Sequence, residues 1–287
     1  NPSKNYIETF ICNYYSCMKK FLLVLISFHL IAINLIGQES RVSAADSLLN
    51  LGSFYFDTKP EMCISLHKTA SVLYAKSGDK KQEALCMQNI AFTFQEKLNT
   101  TDSAIYYMEK AIALWTGLEE PLNRANLLKF YGMLQGKNGK YAEGIASLHE
   151  AIKIFEEKNF KAGIAVSYFD MALLFDSQNQ MDSCIYYLKK NKAYFETVQD
   201  TFRIFGANNV LFEKYTSAGQ LNLATNIYED NLKMENSGQI HWQQLINFYK
   251  TSVNYSIQVN NQALYDQFLG KYKHLNDSLT KKGIQIP

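Results

Sequence analysis

The sequence predicts an all-α fold: an α-α superhelix of about six helix-turn-helix repeats. Three observations carry that expectation. A segment pattern recurs every 40 residues, the apolar residues of each copy share one helical face, and turn-forming residues cluster between copies. The 4 Pro and 14 Gly among 287 residues are too few for an all-β chain rich in tight turns. A content of 47% hydrophobic and 20% charged residues is globular rather than disordered.

Residues 1–37 stand apart. Met18-Lys19-Lys20 precedes an apolar run from Phe21 to Gly37, and a polar stretch follows. A basic start, an apolar stretch and a small residue at its end describe a secretory signal peptide, with translation starting at Met18 and cleavage after Gly37. The alternative is an uncleaved anchor, for which the run is short and carries His29 and Asn34. The mature chain, 38–287, is then one solenoid domain with no second domain marked. The segment holds Lys4, Lys19 and Lys20 against Glu8, the whole net charge of +2, so the remainder balances at zero. No basic face stands out, which argues against nucleic-acid binding.

The repeats follow in order over about residues 43–280. Their second helices begin near 61, 102, 142, 182, 222 and 262. One column is small, with Cys63, Ala104, Gly144, Cys184 and Ala224, then Leu264. Two helices can approach closely there. The next column is mostly apolar: Ile64, Ile105, Ile145 and Ile185, then Thr225 and Tyr265. Four residues after the small column come His67, Met108, Leu148, Leu188, Tyr228 and Phe268, and an aromatic column of Tyr74, Trp115, Phe155 and Phe195 fails at Glu235. These offsets share one helical face. The first helices precede them. The stretch Ile164 to Phe175 is apolar nearly all round, as an inner layer requires. Helix stops and caps are expected at Ser77–Asp79, Asn99–Asp102, Lys137–Lys140, Ser177–Gln180, Ser217–Gln220 and Asn236–Gly238, and Pro60 and Pro121 at helix starts. A single hairpin cannot bury its apolar face, whereas stacked neighbours can.

These features resemble the tetratricopeptide family. Leu51-Gly52-x-x-Tyr55 fits its first-helix signature, Ile90-Ala91-x-x-Phe94 and Met171-Ala172-x-x-Phe175 are conservative versions, and Tyr131-Gly132 matches in part. Ala104 with Ala111 and Gly144 with Ala151 fit the second helix. The step is 40 rather than the usual ~34 residues. Later repeats depart further: Asn191, Asn231 and Lys271 replace the final Ala, and Phe212 and Ser252 replace the first-helix Gly. HEAT-like repeats are the alternative on the same periodicity.

Catalytic chemistry finds no foothold. Ser65-Leu-His-Lys68 and Ser77-Gly-Asp-Lys80 have a Ser-x-x-Lys spacing without its companion motifs. His67 shares a column with Met108 and Leu148, so it reads as packed, whereas His149 reads as solvated. Cys63, Cys86 and Cys184 form no disulfide framework, and Cys63 and Cys184 read as packing residues. No metal, cofactor or catalytic set is expected, and the chain reads as a binding protein rather than an enzyme.

The resemblance implies a concave face lined by the first helices. Its positions here are Gln88, Phe92, Lys129, Met133, Phe169, Leu173, Asn209, Glu213, Tyr249 and Val253, with Asn89, Phe130 and Asp170 between them. The Lys/Asn clamp of chaperone-binding members is not reproduced, because Met133 follows Lys129 and Glu213 follows Asn209. The expectation is an exported, periplasmic or envelope-associated scaffold for a protein or peptide partner. The second reading is the sensing half of a histidine kinase or transcriptional regulator, with a membrane-linked signalling partner.

Overall fold

The computed structural model describes residues 38–284 apart from 237 and 239, so the expected export segment lies outside the described residues. Among the described residues the secondary structure is twelve α-helices. They are α1 (Gln38–Phe54), α2 (Pro60–Ser77), α3 (Lys80–Glu96), α4 (Thr101–Thr116), α5 (Pro121–Lys137) and α6 (Tyr141–Glu157). There follow α7 (Lys161–Ser177), α8 (Met181–Thr197), α9 (Thr201–Ser217), α10 (Leu221–Asn236), α11 (Trp242–Gln258) and α12 (Gln262–Lys281). Odd-numbered helices are the first, and even-numbered helices the second, of six hairpins. Pro60 opens α2, where its missing N–H costs nothing, and Asp79, Asp200 and Asn261 cap α3, α9 and α12 by accepting from the backbone N–H of the third helical residue.

Five successive turns share one backbone device. Gly139, Asn159, Asn179, Gln199 and Gly219 all have positive φ, one residue every 20. The following N–H reaches back five residues each time: Lys140 to the Gln135 carbonyl (2.8 Å), Phe160 to Phe155 (2.8 Å), Gln180 to Phe175 (2.9 Å), Asp200 to Phe195 (3.0 Å) and Gln220 to Tyr215 (2.9 Å). This is the Schellman closure, in which a left-handed residue lets orphan carbonyls at a helix end find donors. Helices α6 to α9 each have 17 residues. A helix of that length and its three-residue turn make half of the 40-residue step.

The contacts divide the described residues into two compact units, with the boundary between Leu127 and Leu128. In the first, Cys63, His67 and Tyr74 of α2, Cys86, Ile90 and Ala91 of α3, and Ala104, Met108 and Trp115 of α4 are buried. Gly52 of α1 admits the His67 ring, since a Cβ there would lie 2.8 Å from Nε2. The expected packing role of His67 is therefore met, as it is for Cys63 and Cys184, both fully buried.

In the second unit α5 and α6 touch through glycine. A Cβ on Gly132 would stand 2.7 Å from the Gly144 carbonyl oxygen, and one on Gly144 would stand 2.6 Å from that of Gly132. Towards the C-terminus the core becomes aromatic. Phe212 takes the helix-A glycine position, and its ring lies 6.0 Å from Tyr228, 6.0 Å from Phe248 and 5.3 Å from Tyr255. Asparagines at the former alanine position make buried hydrogen bonds. Asn191 Nδ2 donates to the Ala165 carbonyl (2.8 Å), and Asn231 Nδ2 donates to Asn209 Oδ1 (3.0 Å). Where the aromatic column fails, Glu235 accepts from the Tyr249 hydroxyl (2.6 Å) and from Lys271 Nζ (2.7 Å). Among the described residues, no helix is long and apolar enough to cross a membrane.

Candidate binding face

The first unit brings together residue types that elsewhere perform nucleophilic chemistry. Cys63 Sγ lies 3.4 Å from His67 Nδ1 and 3.2 Å from Thr93 Oγ1, and His67 Nε2 lies 3.4 Å from both Asn89 Nδ2 and Ser53 Oγ. Cys63 and His67 follow one another by one turn of α2, so the closeness is a property of the helix. Both are fully buried. Burial pushes the thiol pKa up, against the Thr93 hydrogen bond, and pushes the imidazole pKa down. The pair is held neutral, thiol beside imidazole, and a thiolate is the form that attacks. Burial also raises Cys184 to about 11 and Cys86 to about 12.

The first helices of the second unit carry a polar line. Lys129 of α5 stands 3.9 Å from the Asp170 carboxylate of α7. Burial raises Asp170 to about 6, although Lys129 pulls it down. One step on, Lys214 Nζ of α9 lies 2.7 Å from Asp176 of α7 and 3.4 Å from Glu213. Burial disfavours the Lys214 ammonium, but the two carboxylates hold its pKa above the ordinary lysine value. The Asp176–Lys214 pair was missed in the sequence. Its signal is a 38-residue spacing, one repeat less two residues, which means something only once α7 and α9 are known to be neighbours.

The residues named from the sequence fall in different settings. Lys129, Phe130, Met133, Phe169, Asp170 and Leu173 are half-buried, Lys129 and Asp170 meet, and Glu213 is exposed. Asn209 and Tyr249 are turned inward. Asn209 Nδ2 donates to the Gln244 carbonyl (2.9 Å), and Tyr249 packs in the aromatic cluster with its hydroxyl on Glu235. The family resemblance placed them on the face, yet here each is a buried polar group with a partner. In the first unit Gln88, Asn89 and Phe92 are half-buried, with Asn89 beside His67.

No family model matches the sequence, and no curated protein does. Solved structures match the fold. A signal transduction ATPase with a tetratricopeptide repeat sensor, from Pyrococcus horikoshii, aligns at TM-score 0.70 and 17% identity, covering 90% of this chain and 40% of that one. PilW, a type IV pilus biogenesis factor, aligns at TM-score 0.60 and 17% identity, covering 80% and 92%. A Rap protein complexed with competence and sporulation factor aligns at TM-score 0.54 and 16% identity, covering 93% and 73%. The fold is a tetratricopeptide-like helical repeat. Within the tetratricopeptide-like frame, α5, α7, α9 and α11 are the A helices, so Lys129, Asp170, Asp176, Glu213 and Lys214 all belong to A helices. The face they mark carries paired charges beside half-buried aromatic and aliphatic side chains.

Proposed function

We propose that the chain is an exported tetratricopeptide-like scaffold that binds a protein or peptide through its A-helix face and catalyses no reaction. The observation that carries this reading is the A-helix line of the second unit, where Lys129–Asp170 and Asp176–Lys214 sit among half-buried Met133, Phe169 and Leu173. Fixed charges beside part-covered apolar surface suit a partner that buries both. The fold's occurrence in a Rap protein complexed with competence and sporulation factor, and in a pilus biogenesis factor, supports a scaffold role. The neutral, buried state of the Cys63–His67 pair supports binding over catalysis. Export rests on Met18 to Gly37 of the sequence.

Panning a random peptide library on the immobilised protein tests the binding. Peptides should be retained and competed off by one another; a library that washes through unselected would end the scaffold reading. The second reading, a sensing region, draws on the likeness to the ATPase with a tetratricopeptide repeat sensor. A membrane span and a kinase or regulator domain encoded beyond Pro287 would establish it, and a stop codon there would favour the free scaffold.

A further inference from the structure

The same pair of A-helix positions recurs three times in the second unit, and each time it is filled differently. Between α5 and α7 it is Gly136 and Leu174, packed so closely that a Cβ on Gly136 would lie 2.1 Å from Leu174 Cδ2. Between α7 and α9 it is Asp176 and Lys214, an ion pair at 2.7 Å. Between α9 and α11, 40 residues on, it is Thr216 and Asn254. There the face opens into a cleft of about 280 Å³. Glu213, Thr216 and Ser217 of α9 line it, with Thr251, Asn254 and Gln258 of α11. Thr216 is 3% exposed, and its hydroxyl has no hydrogen-bond partner among the described residues. An acid remains, one turn earlier, as Glu213. The lysine does not, since Asn254 stands where Lys214 stands one repeat before.

We propose that this cleft receives a lysine or arginine side chain of an extended peptide, whose cation takes the place that Lys214 occupies between α7 and α9. The lining supplies carboxylate, hydroxyl and amide oxygens and no cation, which suits a group that only donates hydrogen bonds. The neighbouring Lys214 ammonium is held by Asp176 at 2.7 Å and lies farther, at 3.4 Å, from Glu213. Ile257, 61% exposed at the edge of the cleft, offers apolar surface to the aliphatic stem. The unpartnered Thr216 hydroxyl, almost wholly buried, needs only a rotation about one bond to meet a donor. This assignment rests on the peptide-binding reading and narrows it to one step of the repeat.

The test uses the same library panned on the protein and on two variants. Asn254→Lys refills the cleft with the chain's own ammonium, and Glu213→Gln removes the rim charge while keeping its shape. Peptides selected by the parent protein should be enriched in Lys or Arg. They should bind Asn254→Lys about tenfold more weakly and Glu213→Gln several-fold more weakly, with helicity and melting temperature kept. Replacing the selected basic residue by norleucine should cost as much as Asn254→Lys. Selected peptides without a basic residue, or binding to both variants within about twofold of the parent, would overturn the cleft assignment and leave the scaffold reading intact. Retention of no peptide by the parent protein would overturn both. Both positions are exposed; should Asn254→Lys not fold, Glu213→Gln and the norleucine peptide decide.

Discussion

Asp170 is ionised at pH 7 in a place that disfavours its charge. Burial lifts its pKa to about 6 from an ordinary 3.8, despite Lys129 at 3.9 Å. Between those two values the folded chain keeps a proton that the unfolded chain has released. Stability from this group therefore falls as pH rises through that window, and the cost is complete above about 6. Asp170→Asn should be about 1–3 kcal/mol more stable than the parent at pH 7 and lose that advantage below about pH 4. Urea midpoints at both pH values check it; a lower midpoint for the variant at pH 7 would mean that the Lys129 attraction outweighs burial. The family resemblance placed Asp170 among the candidates of the first-helix face. It could not report depth, which depends on how α5 and α7 approach. The inward turn of Asn209 and Tyr249 was hidden for the same reason: their partners, Gln244 and Glu235, lie on other helices.

At the scale of the helix, close approach is set by whichever residue lacks a side chain. The Gly132–Gly144 contact leaves no room for a methyl group, because the obstacle on each side is a backbone carbonyl that cannot rotate away. Gly144→Ala should destabilise by about 1–3 kcal/mol by forcing α5 from α6. Gly270 is its counterpart. It is exposed within α12, with nothing within 4 Å of an added Cβ, so Gly270→Ala should stabilise by up to about 1 kcal/mol. Thermal melts of both variants give the signs directly; equal shifts would refute the steric account. The small-residue column was plain in the sequence, since Cys63, Ala104, Gly144, Cys184 and Ala224 repeat at one spacing. The turns at Asn159 and Gln199 were not, because a left-handed residue there is Asn or Gln rather than Gly and no cluster of breakers announces it.

Over the molecule as a whole, stability is a sum of neighbour contacts rather than the property of one centre. The C-terminal hairpins depart from the repeat pattern because their packing changes kind, from glycine and alanine admitting an opposite side chain to aromatic rings meeting across α9, α10, α11 and α12. That is why the motif fades there while the 40-residue step survives. Phe212 touches three of those rings, so Phe212→Ala should cost about 3–5 kcal/mol. The loss should stay local: amide hydrogen exchange should rise across α9 to α12 and fade towards α6, whereas a uniform rise across α6 to α12 would contradict a chain of neighbours. The turn device has a consequence for how such a chain can lengthen. Because Asn159 and Gln199 hold the same backbone conformation and close the same hydrogen bond, the segment 160–199 is bounded by two interchangeable joints. A duplication or loss of that cassette would rejoin helix to helix without a shift of phase, whereas a one-residue slip inside any helix would turn every later side chain by about 100°. Inheritance can therefore edit this protein by the hairpin more readily than by the residue.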